Sequence, residues 1–343
     1  MGFQVNGNTF IDNTGSAIFN ANTSVANNFS VQLTPFASRE STSPMQGTVA
    51  GFTAGGDDGS SPPTENSTID KFPFTNELTA VDHGNLTVAR RLLSGHSSDT
   101  HGFTAGGYEA AQSPTNVNTI NKYAFSTNVT ASDHGDLSTV RRELAGQSST
   151  TDGFTSGGAE PPGNATTIDK FAFATNTTAT DVGDLSQARA RTAGNSSESD
   201  GYTSGGFADI NTNDKFPFAI SAGTATDVGD LTVGRSDSCG QSSKTSGYVS
   251  GGLTAVPATV DRNVIDKFPF STDTNSSDVG DLANAQRASA GQSSREHGYV
   301  SGGGKTAPTQ SVMIQRFPFA TDTNASDVGS LTTSRGESAG AQD

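Results

Sequence analysis

Large apolar side chains in this chain stand in short groups between runs of Gly, Ser, Thr, Asn and Asp. One group is Gly51-Phe52-Thr53-Ala54-Gly55-Gly56. Its pattern of Gly, an aromatic, any residue, Ala or Ser, then Gly-Gly begins again at Gly102, Gly153, Gly201, Gly247 and Gly298. A second group reads Ile69-Asp70-Lys71-Phe72-Pro73-Phe74. It returns from Ile120 to Phe125, Ile168 to Phe173, Asn213 to Phe218, Ile265 to Phe270 and Ile314 to Phe319. A third, Asp-(His or Val)-Gly-x-Leu, starts at Asp82, Asp133, Asp181, Asp227, Asp278 and Asp327. Nine residues after each of its leucines stands a glycine: Gly95, Gly146, Gly194, Gly240, Gly291 and Gly340. Four landmarks in fixed order, six times over, define a repeat of about 50 residues.

Each landmark predicts an element. Phe72 and Phe74 are two apart, so they share one face of a strand and supply most of the unit's apolar burial. Pro73 donates no ladder hydrogen bond, so its place is a strand end, a bulge or an edge. The Gly-Gly pair ends another strand in a turn where positive φ is free of steric cost. The small residues around Gly95 and its equivalents suit a crowded innermost strand of a radially packed sheet. Asp-Val-Gly-Asp-Leu makes a short fourth strand, with the Asn/Asp/Thr-rich stretch before it as a turn. A helix over Leu86 to Leu93 is rejected, because its equivalent from Leu231 to Ser236 is broken by Gly and β-branched residues. The unit is therefore a four-stranded antiparallel meander.

Composition agrees. Only 31% of the 343 residues are apolar and 16% charged, against roughly 45–50% (glycine included) and 25% in an average domain. A core divided among many small sheets needs few large side chains. The net charge of −15 argues against a phosphate-binding surface and hence against nucleic acid as a partner. A single cysteine, Cys239, excludes an intramolecular disulfide framework and reads as a small buried filler. No signal-like segment opens the chain and no apolar run is long enough to span a membrane.

Aligned in this way, the unit resembles the kelch repeat. The Gly-Gly pairs match, and so do the arginines four residues after the leucine: Arg90, Arg141, Arg189, Arg235 and Arg335. The fifth copy departs with Gln286, and no Trp stands before the final strand as kelch repeats have. The resemblance covers residues 39–343 and implies an all-β, six-bladed β-propeller of four-stranded antiparallel blades. The final segment, Arg335 to Asp343, matches the inner strand of the preceding unit and is expected to close the ring on the first blade. Ser43 to Ala50 is the rival for that place.

Function is sought where the copies differ. The connections between the Gly-Gly turn and the third strand vary most, and they share one rim. Their candidate binding residues are Asp57, Asp58, Tyr108, Glu109, Glu160, Phe207, Asp209, Asp261, Arg262 and Lys305. Residues 1–38 lie outside the repeat and resemble short β motifs of phage tail-fibre and other virion proteins. There Phe3, Val5, Phe10, Ile11, Ile18 and Phe19 are the candidate docking residues, around a hairpin signal at Asn13-Thr14-Gly15.

No catalytic constellation stands out. His83 and His134 occupy a position that is Val in the other copies, so they read as structural. No Cys/His spacing suits zinc, no loop has the calcium pattern, and no cofactor is implied. The leading expectation is a non-enzymatic structural protein of a bacteriophage virion, assembled in the host cytoplasm. Its propeller would be an exposed knob contacting a host-surface glycan or protein, or decorating the particle, with other virion proteins as partners through the N-terminal segment and a homo-oligomer as a further expectation. The alternatives are a kelch-type protein-interaction module in the cytoplasm and, third, a carbohydrate-active enzyme.

Overall fold

The computed structural model describes residues 4–5, 8–9, 46–75, 79–112, 115–304 and 310–343. The chain divides into two units, residues 1–41 and 42–343. In the first, Gln4–Val5 and Asn8–Thr9 pair as two short antiparallel strands. Val5 lies in this pair; the other five candidate docking residues and Asn13-Thr14-Gly15 fall outside the described residues.

The second unit is a six-bladed β-propeller, each blade a four-stranded antiparallel sheet. Blade 1 runs from the inside outward as Ala339–Gln342, Ala50–Ala54, Thr68–Pro73 and Val81–Asn85. Blade 2 is Ser94–Ser97, His101–Ala105, Thr119–Ala124 and Ser132–Asp136. Blades 3 to 6 repeat this order, their inner strands being Ala145–Ser148, Ala193–Ser196, Cys239–Ser242 and Ala290–Ser293. The C-terminal strand closes the ring, with Ala54 opposite Ala339 and Gly51 opposite Gln342. The rival segment braces the chain end instead, the amides of Thr48 and Val49 both donating to the Asp343 carbonyl at 2.7 Å. Pro73 is the last residue of its strand, and Leu86 to Leu93 contains no helix.

The repeated residues are consumed at the seams between blades. Each second-strand aromatic stacks on the last aromatic of the next blade's third strand. The pairs are Phe52–Phe125, Phe103–Phe173, Phe154–Phe218, Tyr202–Phe270, Tyr248–Phe319 and Tyr299–Phe74, with centroids 4.7–5.0 Å apart. Each stack contributes about 0.5–1.5 kcal/mol beyond its area. The expected intrablade pair is kept, Phe72 meeting Phe74 edge-on at 6.0 Å, and both rings reach Tyr299 of the sixth blade, at 5.7 and 4.7 Å. Phe72 also lies over Gly51 of its own blade, where any side chain would collide with its ring.

The arginines form a second set of seams. Arg141 meets Asp169 at 2.6 Å, Arg189 meets Asp214 at 2.9 Å and Arg235 meets Asp266 at 3.2 Å, and Arg335 pairs with Asp70; all eight side chains are fully buried. The same carboxylates accept from the preceding blade, as when Thr232 donates its amide and hydroxyl to Asp266 at 2.9 and 2.6 Å. Blade 6 has Gln286 and Gln315 at these two places, so charge is lost from both sides together. Blade 2 keeps Arg90 but has Asn121. Arg90 donates instead to the Thr119 carbonyl at 2.9 Å and to Thr104 Oγ1 at 3.0 Å, and burial lowers its pKa to about 10.

The Asp-x-Gly motif is also structural. In all six blades the Asp side chain accepts the amide two residues on, at 2.8–3.2 Å. A register shift in every third–outer strand pair makes this a bulge, which blunts an otherwise open sheet edge. His83 and His134 each reach a carbonyl of the next blade, Ala124 at 2.8 Å and Ala172 at 2.9 Å. Cys239 is buried and free, and burial pushes its thiol up to about 12.

Candidate binding face and axial mouth

Inner strands run from one face of the ring to the other, and second strands run back. The variable connections therefore share a face with the start of every inner strand. At that start, three residues before the axial glycine, stand Leu92, Glu143, Arg191, Asp237, Ala288 and Glu337. All six have left-handed backbone, φ 53–61°. Their amides and carbonyls form a closed ring: Leu92 donates to Glu337, Glu143 to Leu92, Arg191 to Glu143, Asp237 to Arg191, Ala288 to Asp237 and Glu337 to Ala288, all at 2.7–3.0 Å. A left-handed conformation is unfavourable for a residue with a side chain. Here six hydrogen bonds hold it in place.

Below this ring lies a cavity of about 140 Å³. Its floor is the six axial glycines, each packed against the carbonyl of the neighbouring glycine. Its collar is charged and internally paired. Arg191 lies between Glu143 and Asp237, at 3.2 and 3.5 Å. Arg91 pairs with Glu337 at 2.7 Å and Asp57 at 3.2 Å, with Glu65 at 3.6 Å. Burial and the Asp57 carboxylate push Glu337 up to about 7 against the pull of Arg91. Such a carboxyl binds more protons folded than unfolded. The stability it carries is full below its usual 4.5 and is lost as pH rises toward 7. Glu337→Gln is expected to flatten the thermal midpoint across that range; an unchanged slope would refute this role.

The ten rim residues read from sequence divide by role. Asp57 is buried and accepts from Arg91 and from Gln310 Nε2 at 2.7 Å. Tyr108 lies under two guanidiniums, Arg91 at 4.7 Å and Arg142 at 5.4 Å. Glu109 is buried and accepts from Gln112. Asp209 accepts the amides of Ala255 and Val256 at 2.8 and 2.9 Å, tying the blade 4 loop to that of blade 5. Asp261 pairs with Arg287 at 3.2 Å, and Arg262 donates to Thr254 at 2.8 Å. Asp58 is exposed but its carboxylate closes a turn, accepting from Ser60 and Thr64, which lowers it to about 2. Glu160 lies in the two-stranded hairpin of blade 3, Ala159–Glu160 with Gly163–Asn164. Lys305 is outside the described residues.

Phe207 is 54% exposed with the Arg191 guanidinium 5.5 Å from its ring centre. Val256, whose amide donates to Asp209 in the tied loops, is 71% exposed. The structure therefore brings together Phe207, the blade 4 and 5 loops and the axial collar. Sequence reasoning missed the collar, although its position reads Leu, Glu, Arg, Asp, Ala and Glu in successive copies, always three residues before the axial glycine.

No protein-family model and no curated protein sequence matches the chain. Among the described residues no cluster of His, Cys, Asp and Glu could hold a metal ion, and no helix is long and apolar enough to cross a membrane.

Proposed function

We propose that this chain is a non-enzymatic structural protein of a bacteriophage particle whose propeller presents its variable face for host-surface contact. The observation that carries this reading is the commitment of the recurrent charged residues to seams and bulges, which leaves the non-recurrent chemistry on one face. Residues 1–38 are the attachment segment in this reading. Their deletion should leave the ring folded and abolish incorporation into particles; unimpaired incorporation would sink the claim.

The second reading is a kelch-type protein-interaction module in a cell. Exposed Phe207 favours it, since a large apolar ring beside the Arg191 guanidinium also suits a protein partner. Recovery of one stoichiometric cytosolic partner, with no particle association, would decide for it. Loss of that complex in Phe207→Ser would place the contact.

A further inference from the structure

The blade closed by the far end of the chain has a chemistry that no other blade has. In every blade the residue after the Gly-Gly pair hydrogen-bonds the residue just before the collar. The pairs are Tyr108 with Arg91, Ala159 with Arg142, Phe207 with Ala190, Leu253 with Ser236 and Gly304 with Arg287. In blade 1 they are Asp57 and Gly336, whose amides and carbonyls bond both ways at 3.0 and 3.1 Å. Only here is the loop residue acidic, and here the adjoining collar residue, Glu337, is acidic too. In the other five blades both members of the pair come from one repeat unit. In blade 1 they come from opposite ends of the ring's chain.

This seam holds more acid than base. One guanidinium, Arg91, serves three mostly buried carboxylates: Glu337 at 2.7 Å, Asp57 at 3.2 Å and Glu65 at 3.6 Å. The first two share its Nη1 group. Glu65 Oε1 is enclosed and receives no hydrogen bond. Gln310, from the blade 6 loop, donates to Asp57 Oδ1 at 2.7 Å, and its own oxygen is likewise enclosed without a donor. Across the collar Glu337 faces Arg191, which is already held between Glu143 and Asp237. Acceptors exceed donors and negative charge exceeds positive at one place. A proton on the carboxyl pair answers both, adding an O–H donor and removing one charge.

We infer that the closing seam is a pH-sensitive latch: one proton shared by Asp57 and Glu337 holds the C-terminal strand to blade 1, and its loss above neutrality loosens that strand. The inference is independent of the partner that the variable face meets. Glu337 leads directly into the strand. Its amide donates to Ala288 and its carbonyl accepts from Leu92, and Ala339–Gln342 begins two residues on. With its backbone fixed in this way, Glu337 cannot leave Asp57 without straining the Asp57–Gly336 pair and the strand behind it. Burial, and then Asp57, raise Glu337 from 4.5 to about 7 in the folded ring. The proton is therefore kept in acid, where the seam is secure, and given up as pH rises through neutrality.

Native-state hydrogen exchange of the full chain at about pH 5.5 and about pH 8.5, corrected for the intrinsic pH dependence of exchange, tests the latch. EDTA is present, so that no divalent ion takes the place of the proton. Protection of Ala339–Gln342 should fall roughly tenfold or more between the two, the worth of one pKa unit. Protection of Ala145–Ser148, an inner strand held within one repeat unit, should stay constant. Asp57→Asn keeps one acceptor oxygen and removes the charge, and should make protection of the closing strand independent of pH. Glu337→Gln should do the same from the other side. Constant protection in the native chain, equal loss in both strands, or a pH dependence that survives in both variants would overturn the latch. Carbon-13 NMR of the labelled Glu337 carboxyl needs no variant: a titration at the ordinary glutamate value would overturn it as well.

Discussion

Gly240→Ala is expected to destabilise the ring by about 3 kcal/mol or more, although it adds a single methyl group. A Cβ there would sit inside the van der Waals envelope of the Gly194 carbonyl oxygen. In an open structure the backbone could retreat. Here Gly240 lies against Gly194, Gly291 against Gly240 and so on through Gly340 and Gly95 back to Gly146. Any displacement must therefore be accommodated all round the axis. Backbones this close also exchange weak Cα–H···O contacts, which a side chain would remove. Gly163→Ala is the control, because nothing lies within 4 Å of the added carbon. Denaturant midpoints of both variants settle the matter. A Gly240→Ala midpoint within error of the Gly163→Ala value would show that the ring can open.

Arg141→Gln is expected to cost about 3–5 kcal/mol, because it leaves the Asp169 carboxylate buried without its cation. The double variant Arg141→Gln, Asp169→Gln should recover much of that loss. Blade 6 supplies the reason: Gln286 and Gln315 fill the same two positions within the same ring. In blade 2 the opposite change should help. Asn121→Asp would give Arg90 the carboxylate that the other arginines have, while Thr87 could still donate to the same side chain. A gain of about 1–2 kcal/mol is expected from one charge-assisted bond. A double-mutant cycle at neutral pH reads the first pair. A loss in the double variant equal to the sum of the two single losses would mean that the two charges are not coupled.

Much of this architecture is legible in the chain. The four landmarks give the blade count and strand order, and the match between Arg335 to Asp343 and the preceding unit gives the closure. What one dimension conceals is partnership across seams. Arg141 and Asp169 recur in separate motifs, and nothing in their spacing says that they meet. Phe72 and Phe74 stand two apart, which suggests a joint anchor for one blade; the ring packs both against Tyr299 of the preceding blade, Phe74 stacked and Phe72 tilted. The rim reads as ligand-facing because it varies. Asp57, Glu109, Asp209 and Asp261 vary for another reason. Each loop has its own length and few apolar anchors, so each satisfies its backbone and charges with its own local partners. The collar escapes because a search for constants passes over a position that changes every time.

The closing strand sets a sorting problem for the nascent protein. Until Ala339–Gln342 arrives, Ala50–Ala54 presents a vacant edge while nearly all of the chain between them is folding. The candidates to fill it are alike, since every inner strand is a short small-residue segment with a glycine in its second place. A blade could recruit the wrong strand from its own chain or from a neighbouring molecule. The segment that brings the closing strand also brings Glu337, whose amide and carbonyl complete the collar between Ala288 and Leu92, so closure of the ring and of that circuit are one event.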